Sequence, residues 1–314
     1  METNMQGLMR AIRGESTKPV EEKQPVPEKK PLEDLSIINE ITAHYANPST
    51  RGFRPGIHPS EISYEDPFCP RWHVFRRELV RAQKEQRPFP FGVNLSENAP
   101  DPDLMRIFDM GHAIHDRYQN NILGPAGVLY GFWDRWNNKT EKWEQSRGFR
   151  PEGRGWRYNE PRVRSKGITG QCDGIVRIDG VWLALEIKSS NDQGFTFRKK
   201  VKREHIRQAQ VYANMGFVDF PEIEVDGIVF LYVNKNTSKE REFIVPKKSA
   251  EIQDIIDGLE KLAEHDRIQS LPSRQCVRKS SKRANACPVK ETCFTVGSGV
   301  DALVQIKELG LASN

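Results

Sequence analysis

The chain has 314 residues, of which 37% are hydrophobic and 29% charged, and its net charge is +5. That length suffices for a sizeable core in one large or two small domains. No apolar run approaches the ~20 residues of a membrane span, so a soluble chain is expected, and so small a positive excess does not by itself mark a nucleic-acid partner.

Residues 1–32 are expected to be a flexible tail, because 14–32 are rich in Pro, Glu and Lys and lack apolar anchors. Ahead of that linker, "MQGLMRAIR" at 5–13 has the pattern of a short amphipathic helix. It reads either as a peptide that docks a partner, such as a helicase or a replication or recombination protein, or as an untied terminus. Residues 33–314 are expected to form a single domain, entered through a helix at 33–46.

Positive charge concentrates in "RRELVRAQKEQR" (76–87), "RKKVKREHIR" (198–207) and "RQCVRKSSKR" (274–283). Each reads as a phosphate-tracking surface or as a solvated helix face. The candidate nucleic-acid contacts are Arg71, Lys199, Lys200, Lys202, Arg203 and Arg207, with Trp72 and Phe75 available for base stacking. The segment "MGHAIHDRYQ" (110–119) reads as helix, with Gly111 and His115 one turn apart. Residues 128–158, dense in Trp, Gly and Arg, read as strands and an exposed loop. A helix over 204–216 sets Gln208 and Tyr212 one turn apart on one face. Two further strands are expected in 225–245 and an amphipathic helix over 249–265.

The most informative stretch is "CDGIVRIDGVWLALEIKSS", residues 172–190. Asp179-Gly180 is a strong signal for a tight type I′ turn between strands 171–178 and 181–188. A two-residue turn sets the register, and counting back from Ile178 opposite Val181 puts Asp173 opposite Glu186 and Gln171 opposite Lys188. Alternation then gives Ala184, Glu186 and Lys188 one face, while Leu183, Leu185 and Ile187 take the other and read as core. Two facing carboxylates repel, and a divalent cation held by their oxygens removes that conflict, with Lys188 pointing into the same place. The plainer reading is a surface hairpin carrying an ion pair of little worth.

Glu160, Asp173, Glu186-Ile187-Lys188 and Gln208-xxx-Tyr212, preceded by Gly111-xxx-His115, together resemble the RecB-like branch of the PD-(D/E)XK nuclease superfamily over roughly residues 56–294. The resemblance implies an α/β, restriction-endonuclease-like core, a mixed β-sheet flanked by helices. It also implies that His115, Asp173, Glu186 and the carbonyl of Ile187 bind metal, that Asp173, Glu186 and Lys188 are catalytic with Lys188 supporting the attacking water, and that Gln208 and Tyr212 act with them, contacting DNA near the site. Gly111 and Glu160 take supporting places. One departure is visible, since Cys172 stands where the family name has proline.

There are five cysteines, and with no signal-peptide pattern the expected compartment is reducing, the cytoplasm of a bacterial or phage-infected cell, without disulfides. Cys172 reads as a strand residue facing away from the site. One early cysteine, Cys69, and three late ones, Cys276, Cys287 and Cys293, resemble the iron–sulfur members of the same superfamily, which include CRISPR-associated and exonuclease V-like enzymes. The resemblance implies a structural [4Fe–4S] cluster that closes the C-terminal cysteine region on the N-terminal helical part. Zinc is the alternative, although zinc sites usually use closely spaced cysteine pairs, and free thiols are the third.

No G-x-x-x-x-G-K-[ST] segment is present, so no P-loop motor is expected in this chain. The expected function is a deoxyribonuclease, a metal-dependent exonuclease hydrolysing single-stranded DNA or DNA ends in replication, recombination or repair. The histidine ligand predicts that Mn²⁺ serves at least as well as Mg²⁺. The alternatives are a DNA-end-binding protein with little turnover, an endonuclease of the same fold, and an RNA-processing nuclease.

Overall fold

The structure, a computed structural model, describes residues 44, 56–65, 67–93 and 101–311. The tail at 1–32 with its candidate peptide lies outside the described residues, as does the helix expected at 33–46 apart from residue 44. All that follows concerns residues 45–314, which group as one unit. Among the described residues no helix is long and apolar enough to cross a membrane.

Among the described residues the α-helices ahead of the sheet are α1 (Pro59–Ile62), α2 (Pro70–Lys84) and α3 (Pro102–Asp116). Each begins on a proline, whose fixed φ suits the first helical turn and whose missing N–H costs nothing there. Past Asp116 the helix α3 runs on as a π-helical segment, Arg117–Leu123. The strands β1 (Leu129–Asn137), β2 (Lys142–Phe149) and β3 (Arg157–Asn159) follow, then a separate two-stranded ribbon of β4 (Arg162–Ser165) and β5 (Ile168–Gln171). Next come β6 (Gly174–Ile178), β7 (Val181–Ser190), α4 (Asp192–Thr196) and α5 (Arg203–Met215). The chain continues with β8 (Gly227–Asn234), β9 (Glu240–Pro246) and α6 (Gln253–Arg267). Three C-terminal helices close it: α7 (Lys282–Asn285), α8 (Lys290–Thr295) and α9 (Val300–Leu311).

The main sheet is mixed, in the order β2-β1-β6-β7-β8-β9, with β3 also paired to β1. Only β7 and β8 run parallel, joined by the crossover through α4 and α5. This is the α/β architecture expected, a mixed sheet flanked by helices. The turn at Asp179-Gly180 has positive φ at both residues, 50° and 85°, as a type I′ hairpin needs. From it the ladder runs in the predicted register, Ile178 against Val181 back to Gly174 against Leu185. A Cβ on Gly174 would lie 2.6 Å from Leu129 Cδ1, so glycine at the start of β6 leaves room for the Leu129 side chain of the neighbouring β1.

Both faces of the sheet are covered. Leu183, Leu185 and Ile187 pack with Val176, Trp133 and Tyr118 on one side. On the other, Ala184 packs with Ile228, Phe230 and the Ala209, Tyr212 and Ala213 stripe of α5. The face bearing Glu186 and Lys188 is therefore core and not the solvated surface of a simple hairpin. A further cluster joins Phe75 and Leu79 of α2, Leu259 and Leu262 of α6, and Leu303 and Ile306 of α9. Arg71 of α2 seals it from below: its guanidinium donates to the carbonyls of Pro272 at 2.8 Å, Val296 at 2.8 Å and Cys293 at 3.2 Å. The cysteine-bearing C-terminal region thus closes on the N-terminal helical part, as expected.

Two candidate nucleic-acid residues are corrected here. Arg71 is buried, at 1% exposure, and is spent on those carbonyls. Arg207 is buried too, and forks onto Asp254 through Nη1–Oδ1 at 2.8 Å and Nη2–Oδ2 at 2.9 Å while donating to the carbonyl of Glu65 at 2.8 Å. A guanidinium held by the Asp254 carboxylate and by the carbonyls of Glu65 and Glu251 is structural, and it ties α5 to α6 and to the turn after α1. Arg207→Ala is expected to cost about 1–3 kcal/mol, because it removes the partner of the half-buried Asp254 carboxylate and of the Glu65 carbonyl. Arg207→Lys recovers little of that, since an ammonium cannot fork. Urea unfolding measures both, and a variant as stable as the parent would refute the role.

Candidate active site

The predicted ladder stops one residue short of the acids. Gln171 pairs with Arg162 in the ribbon instead of with Lys188, and Cys172 and Asp173 form the connection between β5 and β6 instead of belonging to a strand. Cys172 is fully buried against the sheet, its thiol near the carbonyls of Gly174 and Leu185 at 3.3 Å. It packs with Ala184 and Tyr212, inside the core and not away from the Glu186 face. The physical cause is the side strand's departure: the chain leaves the β7 edge to build the β4–β5 ribbon. Beyond Leu185, β7 therefore has β8 on one side and no β6 partner on the other.

Asp173 fills that opening. Its Oδ2 accepts from the amide of Ile187 at 2.6 Å, standing in for the missing strand. Since the N–H and C=O of one residue in a strand point to the same edge, the carbonyl of Ile187 faces the same opening. The Oδ1 of Asp173 lies 3.3 Å from His115 Nδ1, which α3 carries over the end of β7. His115, Glu160 and Asp173 each bring one ligand atom within 4.8 Å of the other two. Glu160 thus stands in the tightest donor group rather than only supporting it. Glu186, expected opposite Asp173, sits on the inner face with Oε1 against the Lys188 ammonium. Its Oε2 is buried without a hydrogen-bond partner, which is costly for a carboxylate unless a cation or a water completes it.

Gln119, which the sequence pattern did not single out, holds this group together. One turn beyond His115, in the π-helical segment, its Nε2 donates to Glu160 Oε1 at 2.9 Å and to the carbonyl of Asp173 at 2.8 Å. The spacing His115-xxx-Gln119 was the available signal, and π segments recur at functional sites. Gly111, one turn before His115, lies over β7, where an added Cβ would meet Ser189 Oγ at 3.8 Å.

Charges in this place depend on one another. Burial pushes the His115 imidazole down, but Asp173, Glu186 and Glu160 outweigh it and hold its pKa above the ordinary histidine value. Burial raises the Asp173 carboxyl, yet His115, Lys188 and the Ile187 amide bring it below the usual range. Burial pushes Glu160 up, with Asp173 adding to it. The Glu186 carboxyl is pushed up to about 7 by burial, against the pull of Lys188. Burial also works against the Lys188 ammonium, but Glu186 and Asp173 hold its pKa above normal. At neutral pH Lys188 is therefore a cation, fixed by Glu186 and by Gln208 Oε1, to which it donates at 3.3 Å. Gln208 Nε2 donates in turn to Tyr212 OH at 3.1 Å. Tyr212 is 1% exposed, so it orients Gln208 and Lys188 and is not placed to touch a substrate, a correction to its expected contact with DNA.

The four remaining cysteines meet elsewhere. Cys69, Cys276, Cys287 and Cys293 line one cavity of about 680 Å³, together with Arg71, Arg274 and Arg283. Arg71 Nε donates to Cys293 Sγ at 3.3 Å. Burial pushes the Cys69 thiol up to about 11 and raises that of Cys287. Trp72 lines the same cavity and packs on the helical core, so it is placed beside the cysteines. Lys199, Lys200 and Lys202 are exposed in the segment between α4 and α5, and Arg203 is exposed at the start of α5.

His115 and Glu186 both take up protons on folding. The stability this contributes is present below their unfolded pKa values and is lost as pH rises through the folded ones, for Glu186 from 4.5 through about 7. The metal-free protein is expected to lose a few kcal/mol between pH ~5 and ~8, read as a falling urea midpoint. Glu186→Gln, which cannot ionise, flattens that fall. An unaltered slope in the variant would remove Glu186 as its source.

Neither a protein-family model nor a curated protein matches this chain. Among solved structures it is similar to that described as "Crystal structure of SSO0001", at 17% identity over 82% of this chain and 93% of that one, with a TM-score of 0.34. It is also similar to the alkaline exonuclease LHK-Exo from Laribacter hongkongensis, at 12% identity over 74% of this chain and 93% of that one, with a TM-score of 0.37. The same enzyme in complex with dAMP gives 12% identity, the same coverage and a TM-score of 0.40. Likenesses of this size carry no inference about activity.

Proposed function

We propose that this protein is a metal-dependent deoxyribonuclease, an exonuclease that hydrolyses phosphodiester bonds of single-stranded DNA or DNA ends. The observation that carries it is the convergence of His115, Glu160 and Asp173 within 4.8 Å beside a buried, half-satisfied Glu186 and a fixed Lys188 cation. Acids crowded this closely repel unless a cation joins them, and the orphaned Oε2 of Glu186 is a ligand atom in want of a partner. Carboxylate and carbonyl oxygens suit Mn²⁺ or Mg²⁺, and the His115 nitrogen inclines the site toward Mn²⁺. His115, Asp173, Glu186 and the Ile187 carbonyl would hold the ion, with Glu160 adjoining through Gln119. A bound divalent ion supplies Lewis acidity for water and phosphate alike.

The chain's own groups do the rest. Asp173 is fixed by the Ile187 amide and by His115, so its free lone pairs have one direction. Lys188 keeps its proton, so it contributes charge: it stabilises the phosphate oxygens as negative charge builds on them and is no general base. Gln208 and Tyr212 hold it on station. The same protons that stabilise the empty site, on His115 and Glu186, must leave when an ion binds, so metal affinity should rise with pH up to and beyond about 7.

The four cysteines around one cavity support a [4Fe–4S] cluster on Cys69, Cys276, Cys287 and Cys293. It would clip α2 to the C-terminal helices, a structural role remote in sequence from the acids. The tail peptide at 5–13 is the proposed point of contact for a helicase or recombination partner.

The test is cleavage of end-labelled single-stranded DNA by anaerobically purified protein in Mn²⁺, Mg²⁺ or EDTA. Wild type is expected to cut only with metal. Asp173→Ala and Lys188→Ala should each lose at least a hundredfold in rate while melting cooperatively. Cleavage by Lys188→Ala at the parent rate would remove Lys188 from the mechanism, and no cleavage in any metal, with DNA still bound, would make this a binding protein.

For the cluster, anaerobic wild type should be brown with stoichiometric iron, and Cys293→Ser should bleach it and lower Tm. A colourless wild type carrying zinc would overturn it.

A further inference from the structure

Beyond Ser190 the chain leaves the sheet through α4 and then an extended segment that leads into α5. Phe197, Arg198, Lys199, Lys200, Lys202 and Arg203 line an open depression there of about 760 Å³. The acid among its lining residues is Glu204, 3.6 Å from the Lys202 ammonium. At its rim Phe197 is 73% exposed, an unfavourable place for an aromatic ring unless something covers it.

The backbone that carries this ring is held in place. Asn191 caps α4 by accepting from the Gly194 amide at 2.8 Å, and the Phe197 amide donates to the carbonyl of Gln193 at 3.2 Å. Asn234 and Asn236 donate to the two oxygens of Asp192 at 2.8 and 3.1 Å. Phe195 is buried beneath, its ring centroid 4.8 Å from the Arg241 guanidinium of β9. That guanidinium also donates to the carbonyls of Phe195, at 2.9 Å, and Arg198. Backbone on both sides of Phe197 is thus pinned to β8 and β9. The fold presents an exposed aromatic face among cations from a rigid base, which is the arrangement that lowers the entropy cost of binding.

We propose that this depression is a subsite for single-stranded nucleic acid, with Phe197 stacking on one base and the Lys199, Lys200, Lys202 and Arg203 cations meeting the flanking phosphates. It rests on the nuclease reading for its purpose, since β7 runs from Glu186 and Lys188 directly into this segment. A planar face among cations fits a base that has left its stack; in a duplex the bases are stacked on each other and a ring at this rim meets only backbone. Acidic side chains have charge to offer and no aromatic face for Phe197 to stack on.

Binding of a labelled oligothymidylate to the full chain, followed by anisotropy in EDTA, tests it. Phe197→Ala should weaken binding about tenfold, as loss of one base–aromatic stack does. Phe197→Trp should keep it, and Phe197→Leu, apolar but without a ring face, should behave like alanine. An abasic strand of equal length should bind parent and Phe197→Ala alike. Replacing both Lys199 and Lys200 with Glu should lower the slope of log affinity against log salt by more than about one. Unchanged oligothymidylate binding by Phe197→Ala, an equal loss on the abasic strand, tighter binding of duplex, or competition by polyglutamate at matched charge would each overturn the subsite. The nuclease reading fails separately: wild type that never cuts in any metal sinks that reading while the Phe197 comparison, made without metal, still stands or falls alone.

Discussion

Where β6 gives out at Gly174, the amide of Ile187 has lost its strand partner, and the Asp173 carboxylate takes that partner's place at 2.6 Å. A buried amide must be satisfied, so this one bond determines where Asp173 points and thereby where His115 and Glu160 must come. It also leaves the β7 edge open beside two acids. The site exists because the sheet is interrupted there, and the interruption exists because the chain diverts into the β4–β5 ribbon. A ladder continued for two more residues would have turned Asp173 into an ordinary cross-strand neighbour.

Burial gives the second constraint. Glu186 is 1% exposed on a face that α5 covers, and a charge there is tolerable only with partners. Lys188, Gln208 and Tyr212 form a chain of contacts that holds the pair, while Arg207, on the same helix, anchors α5 through Asp254 and the Glu65 carbonyl. The position of Lys188 and the stability of the fold are therefore coupled in α5: one side of the helix orients Lys188, and another locks the helix to α6. The basic segment ahead of it owes its rigidity to different bonds, those of Arg241 and the Asn234–Asp192 pair. The acidic centre and its cationic approach are thus supported independently.

Much of the local structure was legible because it depends on short-range chemistry. Asp179-Gly180 dictated a tight turn, and alternation from it assigned the two faces of β7, both borne out in the ladder and the packing. The helix over α5 and the strands β8 and β9 followed from periodicity in the same way. Registers counted past Gly174 failed, since nothing within Gln171-Cys172-Asp173 announces that a different partner, β4, captures Gln171. The arginine assignments failed for a related reason. Arg207 ends a basic run that looks solvated and Arg71 lies just ahead of another, and only the packing of α6 and the C-terminal carbonyls against them shows that their charges are consumed inside.

The sequence by itself determined the hairpin, the α/β order of elements and the residue types able to bind metal, because turns and amphipathic periods are written in neighbouring side chains. Only the tertiary structure decided that Glu160 joins His115 and Asp173, that Gln119 braces them, and that cysteines from opposite ends of the unit share one cavity. Those are meetings between segments tens of residues apart or more, and they depend on which surfaces pack and where a ladder stops. No local pattern encodes such a meeting; burial and hydrogen-bond satisfaction across the whole domain select it.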